Sequence, residues 1–406
     1  MTATERRASL SLASIFALRM LGLFLVLPVF ALEAARYPGG DDPVRIGLAM
    51  GIYGLTQGLL QIPFGLASDR YGRKRVIIIG LVIFALGSFI AMAADSLTWL
   101  IIGRSIQGAG AISAAVTALL ADQTRDEVRT RAMTLVGVSI GLMFALSLIV
   151  APLLAAQIGL AGLFALTGLF ALTGIAVVVW AVPPEPAQPT HRPRGSLALV
   201  LREPALLRLN LGVFVLHAVQ LAMWVAIPAL LVQAGLGKDG HWQVYTPAVV
   251  LSFFVLRVTL YPLERRGYLR AVFLGSVGLI LLVQIGLLWA AGAAENGQPS
   301  LTGLAVLLFL FFCGFNILES CQPSLASRVA PVHARGAALG VYNTLQSLGF
   351  FVGGAAGGWL AKNHGATGLF AVCGALMLLW LLVSWPMRAP SRQDVQGKAY
   401  AARAAS

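Results

Sequence analysis

The sequence predicts an all-α membrane protein of twelve transmembrane helices in two pseudo-symmetric six-helix halves, and three observations lead there. Of its 406 residues 58% are apolar and only 11% charged, with a mean hydropathy of +0.83, far outside the soluble range. Apolar stretches of about 18 residues or more recur along the whole chain, each sufficient for a helix across a hydrocarbon core of roughly 30 Å. A charged motif after the second stretch returns in altered form after the eighth, as in membrane proteins built from internal repeats. The alternating ten-residue segments of a β-barrel are absent.

The spans run near 10 to 33, 46 to 67, 76 to 94, 98 to 121, 132 to 155, 161 to 182, 205 to 233, 244 to 262, 271 to 292, 300 to 326, 336 to 361 and 367 to 387. The first is too long for a cleaved signal, and no small-residue cleavage pattern follows it before "EAARYPGGDDPVR", so it is expected to stay as a helix. Cys313, Cys321 and Cys373 all fall within spans; three is odd and a disulfide framework has no purpose there, so they read as packing residues. The net charge of +13 is distributed by side. With a cytoplasmic N-terminus, the cytoplasmic segments hold 21 of the 29 Lys and Arg, the opposite loops four and the spans four. That asymmetry obeys the positive-inside rule. It puts both termini in the cytoplasm and turns the basic excess toward anionic lipid, with no nucleic-acid partner.

The longest polar interval, 183–204, "PPEPAQPTHRPRGSLALVLREP", follows six spans and precedes six. It reads as a cytoplasmic hinge between an N-terminal bundle, 1–182, and a C-terminal bundle, 205–387, with a basic tail at 388–406. The repeat supports the division. Adding 195 to Asp69, Arg70, Gly72 and Arg75 gives Glu264, Arg265, Gly267 and Arg270; adding 204 to Arg131 and Leu135 gives Arg335 and Leu339.

The motif "GLASDRYGRKRV", residues 65–76, and the segment "LIIGRSIQGAGAI", residues 100–112, resemble the helix 2–3 and helix 4 motifs of the major facilitator superfamily. The resemblance covers the whole chain. "LRMLGLFLVLPVF", "GIYGLTQGLLQIPFG" and "FNILESCQPSLASRVAP" further resemble its YajR branch of proton-driven drug exporters. It implies the major facilitator fold and alternating access in a bacterial-type inner membrane. It also implies a conformational latch of Asp69, Arg70, Gly72, Arg73 and Asp122, with Asp69 against the start of helix 11 near Gly336 and Arg73 paired with Asp122. Topological anchoring alone is the other reading of these charges. The family's Gly-Pro with paired glycines in helix 5 is altered here to Ala151-Pro152-Leu153-Leu154. The ladder Gly137, Gly141, Ala145 remains, which at spacing four suits close helix approach.

Charges inside spans cost about 2.5 to 3.5 kcal/mol on insertion scales, so each needs a reason. Glu319 is the carboxylate well inside a span, sharing a helical face with Phe312 and Asn316. His217 heads a stripe with Gln220 and Trp224, and an imidazole suits proton relay. Helices 7 and 10 are both central in this fold, so His217 and Glu319 are expected to influence each other. The bland readings are an ion pair of Glu319 with Arg257 and a packed histidine. Arg104 resembles the family's helix 4 arginine linked to proton coupling, with Gln107 one turn on; Arg19 lies at a comparable depth. Both arginines want an anionic group or carbonyl oxygens, the latter as caps at a helix break. Tyr53, Gln57 and Gln61 on helix 2, with Asn343 and Gln346 on helix 11, complete the expected polar lining of a substrate cavity.

No nucleophile–base pair, metal-ligand cluster or phosphate-binding glycine motif is present, so neither an enzyme, a cofactor nor a metal is expected. The leading expectation is a monomeric, proton-coupled secondary transporter exporting a small amphipathic or drug-like solute by proton antiport. Uptake by symport, and a sensor or scaffold on the same fold, remain as alternatives.

Overall fold

The computed structural model describes residues 1–185, 197–295, 297, 299–330 and 335–387. Among them regular structure is helical throughout. The elements are α1 (Ala3–Ala34), α2 (Pro43–Tyr71), α3 (Arg73–Met92), α4 (Leu97–Ala109), α5 (Ser113–Asp122), α6 (Asp126–Ala176), α7 (Leu197–Arg202), α8 (Pro204–Gln233), α9 (Trp242–Arg265), α10 (Leu269–Glu295), α11 (Leu301–Val329) and α12 (Arg335–Ser384). Much of the expected hinge, 186–196, and the basic tail, 388–406, lie outside the described residues.

Among the described residues nine helical segments are long and apolar enough to cross a membrane, against twelve expected spans, and the difference has a local cause. Helix α6 has 51 residues and α12 has 50, each roughly 75 Å at 1.5 Å per residue, more than twice a bilayer core. Each contains one non-helical residue, Gly159 (φ 64°, ψ −174°) and Gly365 (φ 64°, ψ −172°). Only glycine adopts that backbone readily. The two glycines have nearly the same torsions in corresponding connections. Gly72 and Gly267, which the motif repeat aligns, likewise both have positive φ, 98° and 85°. The remaining difference is α2, which does not meet the apolarity of the other spans.

Helix starts follow local chemistry. Thr2 and Glu5 form a reciprocal capping box on α1, and Asp42 caps α2 by accepting from the Val44 N–H at 3.0 Å, which lowers the Asp42 carboxyl pKa with help from Lys362. The span expected at 98–121 is not one helix: it breaks at Gly110–Ile112 between α4 and α5. The three cysteines are buried and free.

Close backbone approach occurs along α2 and α12. A Cβ on Gly47 would overlap the Gly354 carbonyl, one on Gly54 the Ser347 carbonyl, and one on Gly358 the Pro43 carbonyl; at Gly51 it would lie 2.6 Å from Phe351 O. The ladder expected at 137–145 is corrected accordingly. Nothing lies within 4 Å of a Cβ at Gly137 or Gly141, so those glycines border open space in this conformation.

The contacts of α2 run antiparallel to α12, from Gly47 opposite Gly354 to Gly58 opposite Thr344, so Tyr71 and Arg335 lie toward one end of the bundle. At the other end two ion pairs join early to late segments, Glu33–Lys238 at 2.6 Å and Asp42–Lys362 at 3.3 Å. That end is closed. Glu33 is buried, with its side chain 8% exposed, so removing its charge is expected to loosen the closure by about 1 to 2 kcal/mol, between the limits for exposed and buried pairs. In Glu33→Gln, a cysteine at the buried Ala49 position of α2 should then label several-fold faster with a membrane-impermeant maleimide; an unchanged rate would remove the clamp.

Candidate functional site: a histidine–carboxylate pair and two buried arginines

The structure brings the polar residues of the spans into two clusters. In the first, on α8, α11 and α12, His217 Nε2 lies 3.3 Å from Glu319 Oε2. His217 is almost fully buried, whereas the Glu319 side chain is 37% exposed, so the pair stands at the boundary between the protein interior and accessible surface. The ring is oriented by its other nitrogen, Nδ1, 2.8 Å from the Val213 carbonyl one turn back. Its faces are held edge-on by Phe350 at 4.8 Å and Phe315 at 5.9 Å between centroids. Gln346 Nε2 is 2.8 Å from His217 Nε2 and 3.4 Å from Glu319 Oε1. Arg257, the other partner considered for Glu319, is exposed on α9 and forms no ion pair with it among the described residues.

The second cluster lies on α1, α2, α4 and the α4–α5 break. Arg19 is buried and donates to Ser113 Oγ (3.1 Å), Tyr53 Oη (2.8 Å), Gln57 Oε1 (3.3 Å) and the Gly110 carbonyl (3.2 Å). The last bond lies in the break itself. Arg19 therefore caps a carbonyl at a helix break. Arg104, equally buried, donates to Gln107 Oε1 at 2.9 Å and to the carbonyls of Met50 and Ala49 at 3.2 and 3.4 Å, and lies over the Tyr53 ring at 5.1 Å. Gln107 donates onward to Ser88 Oγ. A guanidinium does not release its proton in a protein, so in this conformation the two arginines act as fixed cations that tie α1, α2 and α4 together.

The other expected lining residues divide by exposure. Gln57, Asn343 and Gln346 are part-exposed. Gln61 is buried with both amide atoms lacking hydrogen-bond partners, as is Gln220 Oε1. Trp224 packs edge-on to Tyr245 at 5.3 Å, Phe312 is fully buried against Phe311 and Phe144, and Asn316 donates to Ser252 Oγ at 2.8 Å. Gln220, Trp224 and Phe312 line one small cavity between α8 and α11, and Asn316 ties α11 to α9.

At the end bearing the charged motif, buried Arg73 binds Asp69 Oδ1 (2.5 Å), Asp122 Oδ2 (3.3 Å) and Ser68 Oγ (2.7 Å). Asp69 is half exposed, and residues 331–334, just before α12, lie outside the described residues. Arg70 is exposed over Tyr71, and Gly72 opens the turn into α3. Sequence reasoning missed Glu185. Its carboxylate accepts the Arg73 and Lys74 backbone N–H groups at 3.0 and 2.6 Å, capping α3, whose own N-cap residue is glycine. "PPEP" was legible only as a hinge, although an acid at a helix N-terminus is a favourable pairing. The second half has an ion pair at the same end, Glu264 in the last turn of α9 with Arg328 in the last turn of α11, 2.6 Å apart.

Comparison with known proteins places this geometry in a family. The Major Facilitator Superfamily profile matches residues 12–354 and again 325–404. The inner membrane transport protein YajR of Escherichia coli (strain K12) is 42% identical over 394 residues, covering 96% of this chain and 85% of that protein. A multidrug resistance protein MdtH of Aeromonas hydrophila is 28% identical over 354 residues, covering 84% of each chain. Among solved structures, an auto-inhibited POT family peptide transporter superposes with a TM-score of 0.74 at 13% identity, over 95% of this chain and 98% of that one, which speaks to the fold alone. The chain belongs to the Major Facilitator Superfamily: it is an all-helical membrane transporter, a secondary transporter and not an enzyme.

Proposed function

We propose that the protein is a proton-coupled transporter that exports a small amphipathic solute, with His217 and Glu319 as its proton site. The observation that carries this reading is the pairing of a part-exposed carboxylate with a buried imidazole 3.3 Å away. An imidazole and a carboxyl at this distance can pass a proton between them, and the exposed part of the Glu319 side chain gives that proton a way in. The basic excess makes the motif-bearing end cytoplasmic. The closed end is then periplasmic, and the conformation is open to the cytoplasm. We read α6 and α12 as two passes each and α4 with α5 as one broken pass. With α2 this makes twelve passes, six on either side of the 183–204 segment, in an inner membrane. The names of YajR and MdtH, a transport protein of the inner membrane and a drug-resistance protein, support location and direction. Arg73 and Asp122 brace the turn that carries Asp69, and we read Asp69 as the side of the cytoplasmic latch that closes on the start of the eleventh pass when the protein opens outward.

Glu319→Gln tests the proton site because it keeps the shape and removes the titration. In vesicles of native orientation, expected transport driven by an imposed pH difference falls at least about a hundredfold, the loss typical of a removed proton-transfer group, while solute binding persists. A well-folded Glu319→Gln protein that still concentrates solute against its gradient would end this assignment.

A further inference from the structure

We propose that Gln346 is a positioning residue through which the proton on His217 acts on the contact between α12 and α2. This rests on the proton-site reading of His217 and Glu319. His217 Nδ1 is committed as donor to the Val213 carbonyl, so in the neutral ring Nε2 is an acceptor. Gln346 Nε2, 2.8 Å away, then donates to it, and its second hydrogen is directed to Glu319 Oε1 at 3.4 Å. Glu319 Oε2 faces the same ring nitrogen at 3.3 Å and has no hydrogen-bond partner, as a lone pair opposite a lone pair requires. The geometry fits a neutral imidazole and a carboxylate sharing one amide, the state from which the proposal starts.

A proton on Nε2 makes this arrangement untenable, because two donors then face each other at 2.8 Å. If the carboxamide turns over, its oxygen accepts from the ring but meets Glu319 Oε1, which is tolerable only when Glu319 is protonated too. Otherwise Gln346 withdraws and the new N–H turns to Glu319 Oε2. Either way the α12 side chain reports the proton. The backbone here has no slack. Ser347, next to Gln346, has its carbonyl against Gly54 of α2; the Thr344 carbonyl lies 3.4 Å from a Cβ position on Gly58; and Gly349 sits on the Phe214 carbonyl of α8. Phe350, one turn along α12, rests on the His217 ring. Among the described residues the charged group facing His217 is Glu319 on α11. Cys321 on α11 and Tyr342 on α12 lie within the field of Glu319, and α2 meets this turn of α12 through glycines and backbone.

The test uses the full chain in lipid nanodiscs, with protons as the only ligand, from about pH 5 to pH 9. Two curves are read on each sample: the His217 ring titration by NMR of labelled histidine, and the separation of α2 from α12 by spin labels at Leu59→Cys and Leu339→Cys. In the parent protein the two curves should share a midpoint. In Gln346→Met, which keeps length and loses both hydrogen bonds, the ring should still titrate. The separation should lose most of its pH dependence. Gln346→Asn should restore part of that amplitude. Gln346→Glu should hold the low-pH separation throughout, because a carboxylate pairs with the imidazolium. If separation in Gln346→Met still follows the ring titration at full amplitude, Gln346 does not transmit, and the proton site stands without it. If His217 in the parent protein does not titrate, or Glu319→Gln leaves its curve unmoved, the proton-site reading falls and this inference with it. Should the Met variant not fold, equal amplitudes in the Asn and Glu variants overturn the proposal.

Discussion

Gly54→Leu is expected to hold the closed end of the bundle open. The Cβ alone overlaps the Ser347 carbonyl, and backbone cannot step aside as a flexible side chain does, so α2 and α12 must separate. Overpacking costs about 1 to 3 kcal/mol where side chains can yield; here the cost falls at or above the top of that range, enough to shift the conformational balance by roughly a hundredfold. The measurement is maleimide labelling of a cysteine at Ala49, which is fully buried on α2; its rate should approach that of an exposed site. Gly141→Leu is the control, since a Cβ there meets nothing within 4 Å. Equal labelling in the two variants would show that the α2–α12 seam is not what closes this end.

Arg73→Met is expected to cost the most stability of any change at the charged motif. Arg73 and Asp122 have side chains 6% and 5% exposed, and Arg73→Met removes the buried cation together with its bonds to Asp122, Asp69 and Ser68, each of the charge-assisted kind worth about 1.5 to 3 kcal/mol. Asp69→Asn removes a carboxylate that is 54% exposed, so its effect on stability should stay below about 1 kcal/mol. Thermal unfolding in detergent should separate the two plainly. Asp69→Asn is expected to act on cycling instead, lowering turnover while expression stays near normal. A similar fall in midpoint for both variants would mean that burial does not govern this cluster.

Composition and pattern reached far in this chain, for physical reasons. Spans are legible because lipid demands long apolar helices, and the repeat was legible because Asp69 and Glu264 head the same loop in each half. His217 and Glu319 stood out because a titratable group inside a span is costly. Their mutual distance was not legible: whether Glu319 met His217 or Arg257 depends on the rotation of α9 and α11 about their axes, which sequence spacing leaves open. The tight seam was misplaced for a related reason. Small residues at spacing four permit close approach, but Gly137 and Gly141 have the spacing without the neighbour, while Gly47 and Gly51 have both. Glu33 and Lys238 are 205 positions apart, and no local pattern announces such a pair. The turn at Gly159 was hidden between two spans that sequence had already separated.

The α2–α12 seam has a mechanical consequence. Where helices interlock by ridges and grooves, sliding requires side chains to climb out of their notches, and motion proceeds in jumps of about one helical turn. A surface of glycine against carbonyl has no teeth. Such a joint peels or glides by small continuous amounts, and what resists it is concentrated in the ionic clasps at the same end, Asp42 with Lys362 across the seam and Glu33 with Lys238 between α1 and the segment before α9. Added salt should therefore speed opening of this end, because screening weakens the clasps and leaves the smooth face between them unchanged.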